Sequence, residues 1–222
     1  MNILIDPKFI GLIQILISLT FISGLVFCGK IIIKNFFKEY NYLLFHLLFS
    51  IIFFSQIIKV LSYMGFFKQT CIIISILVFS LGIYNLKFLL RVINQYKSYI
   101  PKDGFEIFIF IYLFVFFIVS IAPPTMADAL DYHYGVSIYL LNFNEVPSPY
   151  LWIHGASAGN GEFINSLGIF LGTDNFGTLI QLFSLICFLF YLKKKNPKQK
   201  KIIIFIFLYS CFANSVTVDF RT

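Results

Sequence analysis

Long apolar runs dominate the chain, and six of them are long enough for a helix to cross a bilayer core about 30 Å thick. The stretches between these runs hold most of the charged residues. The pattern therefore predicts an all-α, polytopic transmembrane helical bundle of about six spans, near residues 9–28, 42–62, 70–90, 105–122, 175–192 and 202–218.

The apolar run that ends at residue 192 begins as early as residue 163. A single helix of that length would be about 45 Å long, which exceeds the thickness of the bilayer core. The Gly-Thr-Asp-Asn sequence at 172–175 combines a residue that ends helices with three that cap the next one. We therefore predict a break at 172–175, with residues 163–171 as a short apolar segment at the membrane surface.

Basic residues set the predicted orientation, because Lys and Arg accumulate in cytoplasmic loops. They cluster at 30–38, 91–102 and 193–201, after the first, third and fifth runs. Those three loops are then cytoplasmic, and the long loop at 123–174 lies outside. The first run lacks a small-residue cleavage site, so it is predicted to be a retained span rather than a removed signal peptide.

Composition excludes a soluble globular domain, because only 12% of the 222 residues are charged and 59% are hydrophobic. The chain shows no aromatic-basic patch of the kind that nucleic acids need, so no nucleic-acid partner is expected. Seven of the ten acids fall between Lys102 and Lys193, where there is no Lys or Arg. We divide the chain into a membrane region of three spans at 1–104, a core at 105–192, and a basic loop with a final, possibly truncated span at 193–222.

Polar side chains inside the predicted spans have structural explanations. His46, Gln56 and Asn85 can make interhelical hydrogen bonds, and Lys59 and Lys87 lie near span ends, where lysines snorkel to the interface. No acid lies more than a turn inside a span, which argues against a proton or cation carrier.

The external loop opens with a predicted helix from Met126 to about Leu141. Thr125 and Asp128 form a start that is similar to a capping box. Apolar and aromatic side chains recur on one stripe and polar ones on another, which is typical of an amphipathic helix on the outer membrane surface. The apolar stripe consists of Leu130, Tyr134, Ile138 and Leu141.

Two carboxylates, Asp128 and Asp131, lie one turn apart on the polar stripe. One can act as a general base while the other raises its pKa, or both can bind a divalent cation. The alternatives without chemistry are that Asp128 caps the helix and Asp131 is a solvated polar side chain.

Five further side chains are candidates in the same loop. His133 can share a site with the acids or pair with Tyr132 at the headgroup interface. Trp152 is either an interfacial anchor or a platform for stacking on a sugar. Glu162 lies where a helix begins, so it either interacts with the helix dipole or joins His154 in a site.

Residues 128–133 (Asp-Ala-Leu-Asp-Tyr-His) directly follow a span, and a Pro-containing segment and a short apolar helix ending in Leu-Gly-Thr-Asp at 171–174 come after them. This arrangement resembles the first external loop of the GT-C superfamily of membrane glycosyltransferases, of the type that uses polyprenyl-phosphate sugars. The resemblance covers about residues 105–192. It implies that an acid in this loop is the catalytic base for an acceptor hydroxyl. By position Asp128 matches that acid, and Tyr132 matches the aromatic residue of the motif.

The chain also departs from that superfamily's pattern. Ala129 stands where a second acid is usual, so Asp131 would have to replace it. The loop has no basic residue for the donor phosphate. A divalent metal ion held by Asp131, Glu162 or a His can serve that purpose, or a basic residue can come from elsewhere. Three spans precede the motif span, whereas in many members of the superfamily it comes first. The chain is expected to be either a fragment or the N-terminal portion of a split enzyme.

We therefore expect a glycosyltransferase of the bacterial inner membrane. Its partners would be a lipid-linked sugar donor, membrane lipid, and an envelope glycan or lipid acceptor. The alternative is a non-catalytic membrane subunit of polysaccharide or O-antigen assembly. The candidate catalytic residues are Asp128 and Asp131, and the candidate substrate-binding residues are Tyr132, His133, Trp152, His154 and Glu162.

Overall fold

The computed structural model of the protein describes residues 7–36, 42–97, 104–122, 134–148, 150, 152 and 159–195. Within those ranges the chain is all helical, with seven helices and no strand. The helices are α1 (Pro7–Phe36), α2 (Leu43–Tyr63), α3 (Phe67–Lys97), α4 (Gly104–Ile121), α5 (Gly135–Phe143), α6 (Asn160–Phe170) and α7 (Phe176–Lys195).

Three of these helices contain stretches that are long and apolar enough to cross a membrane, namely Gly11–Lys34, Leu43–Tyr63 and Phe67–Lys87. Shorter apolar stretches, Ile107–Ile121 and Phe176–Leu192, belong to α4 and α7. The predicted all-α class is confirmed, and the molecule is a helical membrane protein. The predicted sixth span at 202–218 lies outside the described residues.

Helices α1, α2 and α3 form a tightly packed group, and two glycines explain how closely α1 and α3 approach each other. A Cβ atom on Gly24 would lie 1.9 Å from the carbonyl oxygen of Val78, and one on Gly82 would lie 2.1 Å from that of Thr20. Next to them, the Asn85 side chain donates a hydrogen bond to a main-chain oxygen of α1 at 3.1 Å. Small residues that let two backbones meet are a common way to join helices in a bilayer.

The predicted break in the long apolar run is confirmed. Helix α6 ends at Phe170, and Gly172 adopts φ +74°, which favours glycine. The main-chain N–H and the hydroxyl of Thr173 both donate to the carbonyl oxygen of Gly168 at 2.9 Å. Helix α7 then begins at Phe176, directly after Asn175.

Helix α6, the segment predicted to lie at the membrane surface, is largely covered by protein. Seven consecutive residues, 162–168, are buried, and the helix packs against α2, α5 and α7. The buried stretch includes the polar residues Asn165 and Ser166 beside its apolar ones, so protein covers more than one side of this helix.

Helix α5 coincides with the second half of the predicted amphipathic helix. Only that half falls in the described residues, because residues 123–133 lie outside them. Val136, Ser137 and Leu140 are buried against the fold, whereas Ile138 of the predicted apolar stripe is exposed. Both faces of the described part are thus largely apolar, and contact of the predicted stripe with the membrane surface stays a prediction.

Candidate functional site

Helices α5 and α6 lie together at one end of the long helices. The segment between α6 and α7 makes polar contacts with α1. The Gln14 side-chain amide donates to the carbonyl oxygen of Gly172 at 3.0 Å, and the Ser18 hydroxyl donates to Asn175 Oδ1 at 3.2 Å. The start of α7 is therefore fixed to the first half of α1.

Helices α2 and α4 also make hydrogen bonds to α6 and α7 in this region. The Gln56 amide of α2 donates to Asn160 Oδ1 at 3.0 Å, at the first residue of α6. The Thr178 hydroxyl of α7 donates to the carbonyl oxygen of Ser120, close to the end of α4, at 2.6 Å. We call this region the α5–α6 end of the bundle.

The turn between α2 and α3 is tied to α5 by one side chain. Asn144, which follows α5, has φ 65°. Its amide nitrogen donates to the carbonyl oxygen of Gly65, and its Oδ1 accepts the main-chain N–H of Lys68 at 2.6 Å. A single Asn thus satisfies two main-chain groups of the turn and holds the end of α5 against it.

Glu162 lies in the first turn of α6, as its sequence position suggested. Its Oε2 accepts the main-chain N–H of Gly159 at 2.8 Å, and its side chain is buried. This is the carboxylate half of a capping box, and the negative charge sits at the positive end of the helix dipole. The Glu162 carboxylate therefore has a local structural function.

A basic side chain reaches the same helix start from α2. The Lys59 Nζ lies 5.9 Å from the centre of the Phe163 ring in α6, within range of a cation–π interaction. Lys59 is partly buried and lies one turn before Tyr63, the last residue of α2.

A lysine of a neighbouring helix therefore lies at the start of α6, although the external loop has no Lys or Arg of its own. Sequence reasoning explained Lys59 by snorkelling and did not connect it with the loop. A signal for the connection was present, because Gln56 and Lys59 are three residues apart and so share one face of α2.

Tyr134, the first described residue after the motif at 128–133, contacts the break between α6 and α7. Its hydroxyl donates to the main-chain carbonyl oxygen of Asp174, and the Gln14 amide donates to Asp174 Oδ1 at 3.2 Å. Burial, and then the nearby carboxylate of Asp174, raise the pKa of Tyr134, so its hydroxyl remains a donor at neutral pH. Tyr134 directly follows residues 128–133 in the sequence, and Tyr134 itself is held at the α5–α6 end.

Trp152 is partly buried and packs on α5. Its ring lies 6.4 Å from that of Tyr139, edge to face, and its main-chain N–H donates to the carbonyl oxygen of Ser148 at 3.0 Å. Tyr150, two residues earlier, is fully exposed. The indole therefore helps to hold the chain after Ser148 against α5.

The other candidate site residues lie outside the described residues: Asp128, Asp131, Tyr132, His133 and His154. Their predicted functions stay predictions. In the described ranges, no three His, Cys, Asp or Glu side chains lie together as metal ligands. A metal site formed with Asp131 or the two loop histidines would involve residues outside those ranges.

A comparison with protein families finds a match between residues 84–217 and the DUF1420 N-terminal domain. The matched segment is more than half of the chain, and it contains the whole external loop and helices α4 to α7. No curated protein and no solved structure matches the chain.

Proposed function

The chain belongs to the DUF1420 N-terminal domain family, and we propose that it is a membrane glycosyltransferase that moves a sugar from a polyprenyl-phosphate donor to an envelope glycan or lipid acceptor. The observation that carries the proposal is the position of Lys59, which brings a positive charge to the start of α6 in a loop that has no basic residue of its own. A donor of this kind presents a phosphate near the membrane surface, and Lys59 lies one turn from the end of its apolar helix.

The proposed reaction uses the acids of residues 128–133. Asp128 or Asp131 accepts the proton of the acceptor hydroxyl while its oxygen forms a bond to the anomeric carbon. The bond from that carbon to the phosphate oxygen breaks, the configuration inverts, and the polyprenyl phosphate leaves with the electron pair. The ammonium group of Lys59 stabilises the negative charge of the phosphate.

The orientation of the bundle is part of the proposal. We place six spans in a bacterial inner membrane, with the loop at 123–174 on the outer face. In support, Lys30 and Lys34 of α1 lie in the half of that helix away from Gln14, which meets the α5–α6 end. The exposed apolar side chains Ile138 and Phe143 of α5 suit contact with lipid at that surface.

The test of catalysis is sugar transfer by the purified protein in proteoliposomes with a labelled polyprenyl-phosphate sugar. Replacing Asp128 or Asp131 by Asn should lower the transfer rate by about 10²–10⁴ for at least one of them, as expected when a general base is removed. Glu145→Gln is the matched control, because Glu145 is an exposed acid in the same loop. If both Asn variants insert normally and transfer sugar as fast as the wild type, the proposal fails.

The function of Lys59 has its own test in the same assay. Lys59→Gln should lower kcat/KM for the lipid-linked donor about tenfold, since a charge-assisted contact contributes about 1.5 kcal/mol. Lys68→Gln is the control, because Lys68 is an exposed lysine at the same end of the bundle. An unchanged kcat/KM in Lys59→Gln would remove Lys59 from the donor site.

The second candidate is a non-catalytic membrane subunit of polysaccharide or O-antigen assembly. It is favoured by the local functions of Glu162 and Trp152, which cap α6 and pack on α5. It predicts that changes at Trp152 and at the buried Pro147 reduce glycan assembly in cells more than either Asp change does. The opposite order of effects would favour the enzyme.

A further inference from the structure

Two exposed lysines mark the ends of the membrane-spanning stretches of α1 and α3. These stretches are Gly11–Lys34 and Phe67–Lys87, so each of them finishes in a lysine. Both lysine side chains are exposed. A lysine at the end of an apolar stretch lies at the depth of the lipid headgroups, just beyond the apolar core of the bilayer.

Helices α1 and α3 run in the same direction. The Gln14 side chain, near the start of α1, donates to the carbonyl oxygen of Gly172. The main-chain N–H of Lys68, near the start of α3, donates to Asn144 Oδ1. Both acceptors belong to the α5–α6 end, so both helices leave that end. The lysines that finish the two spanning stretches therefore lie at the opposite end of the bundle.

A pair of aromatic rings joins the two helices shortly before these lysines. Phe27 of α1 and Tyr84 of α3 pack edge to face, with their ring centres 5.6 Å apart. Lys34 follows Phe27 by seven residues and Lys87 follows Tyr84 by three, so each lysine shares a helix face with the ring before it. Along the helix axes the two lysines lie about 10.5 Å and about 4.5 Å past the rings. One aromatic pair thus precedes both lysines on neighbouring helices.

The surface around the ring pair is open and apolar. Tyr84 is 74% exposed, although its ring contacts Phe27. Ile31, one turn further along α1, is 46% exposed, and Ile83 of α3 is 56% exposed. An acyl chain can lie along such a surface, while the tyrosine hydroxyl and the lysines provide hydrogen-bond donors beyond it.

These helices carry no acid that would balance the lysines. The described residues of α1, α2 and α3 include no Asp or Glu. Glu106 belongs to α4, which packs chiefly against α7. The partly buried Lys30 adds a further positive charge to the same half of α1. A ligand that complements this surface therefore carries negative charge of its own.

We propose that Tyr84, Lys87 and Lys34 form a binding site for an anionic phospholipid. The lipid phosphate pairs with the two lysines at headgroup depth, and an acyl chain lies along Ile31 and Ile83. A zwitterionic lipid fits less well, because its headgroup already carries a positive charge beside the phosphate. This site is independent of whether the protein transfers sugar.

A tryptophan in place of Tyr84 can report which lipid occupies the site. The chain has one native Trp, so Trp152→Phe removes the background, and Tyr84→Trp keeps an aromatic ring beside Phe27. The protein is reconstituted in vesicles of phosphatidylglycerol and phosphatidylcholine, with the acyl chains of one lipid or the other brominated. Fluorescence quenching by each brominated lipid gives their relative binding constant at this ring. We expect phosphatidylglycerol to bind at least about fivefold more tightly, as one lysine contact at a lipid surface predicts.

Single lysine variants of this reporter protein show whether the preference belongs to the site. At least one of Lys87→Gln and Lys34→Gln should lower the preference for phosphatidylglycerol several-fold. Lys68→Gln is the matched control, because Lys68 is an exposed lysine at the α5–α6 end, and it should leave the preference unchanged. All three variants lower the net charge equally, so a difference among them reflects the position of the lysine.

A second reporter position tests for general enrichment of anionic lipid around the protein. Ile76→Trp, again with Trp152→Phe, replaces a side chain of α3 that is 65% exposed. It lies about 12 Å before Tyr84 along the helix, away from both lysines. Quenching at this position should not distinguish the two lipids.

Three results would overturn the proposal. The first is equal binding of the two lipids at the Tyr84→Trp ring. The second is a preference of the same size at the Ile76→Trp ring, and the third is a preference that neither Lys87→Gln nor Lys34→Gln lowers. The last two would mean that a basic protein attracts anionic lipid without a binding site.

Discussion

The α1–α3 group and the α5–α6 end are held together in different ways. In the first, the backbones of α1 and α3 touch at Gly24 and Gly82, and the contact runs along long apolar helices. In the second, short helices are tied to the ends of the bundle by single polar side chains such as Gln14 and Asn144. The difference shows that direct backbone contact closes the scaffold, whereas the short helices combine buried apolar side chains with polar contacts to the neighbouring helix ends.

The largest effect should come from adding a side chain where the backbones of α1 and α3 touch. Gly24→Leu forces side-chain atoms into the backbone of α3 at Val78, so α1 and α3 must separate. We expect little or no monodisperse protein in detergent, measured by size-exclusion chromatography. Gly11→Leu is the matched control on the same helix, since nothing lies within 4 Å of a Cβ there. Equal yields of the two variants would contradict the close-packed scaffold.

A smaller effect is expected where a polar side chain ties the two regions together. Asn144→Ala removes hydrogen bonds to the α2–α3 turn. It also places Ala at φ 65°, a conformation that Asn adopts more readily than Ala. Together these changes should lower the free energy of unfolding by about 2–3 kcal/mol. Amide hydrogen exchange should accelerate in α5 and in the turn and stay slow in the middle of α1. Asn142→Ala, two residues earlier and exposed, should leave these rates unchanged. Faster exchange in α1 as well would show that the two regions are one cooperative unit.

The smallest effect should be seen at Tyr134, and it depends on pH. Tyr134→Phe removes one hydrogen bond to Asp174, about 1 kcal/mol. Because the neutral hydroxyl is the bound form and its folded pKa is raised, the stabilisation is complete below the ordinary tyrosine pKa of 10.0 and is lost as the pH rises through the folded value. Thermal unfolding of the two proteins should therefore differ at pH 7 and converge well above pH 10. A difference that grows with pH would contradict this assignment.

The long helices were predictable from the sequence because apolar length is a strong signal in a membrane protein. Five predicted spans coincide with observed helices to within a few residues at most ends, although α1 and α3 continue past the predicted ends to Phe36 and Lys97. The break at Gly172 was predictable too, since the apolar run exceeded the bilayer thickness.

The neighbours of the short helices were not predictable in the same way. The apolar residues of α6 did not indicate whether lipid or protein covers them, and residues 162–168 are buried in protein. Lys59 joins the start of α6 through a contact between residues more than 100 positions apart, which the spacing within one helix cannot reveal. The functions of Asp128 and Asp131 stay predictions, because both lie outside the described residues.

The central claim is that the α5–α6 end transfers sugar from a lipid phosphate. The most direct measurement is the anomeric configuration of the product formed in proteoliposomes from a polyprenyl-phosphate sugar labelled at the anomeric carbon, determined by NMR. We expect a product of inverted anomeric configuration that forms only when the protein is present. At least one of the variants Asp128→Asn and Asp131→Asn should fail to form it. No product from the wild-type protein, or a product of retained configuration, would contradict it.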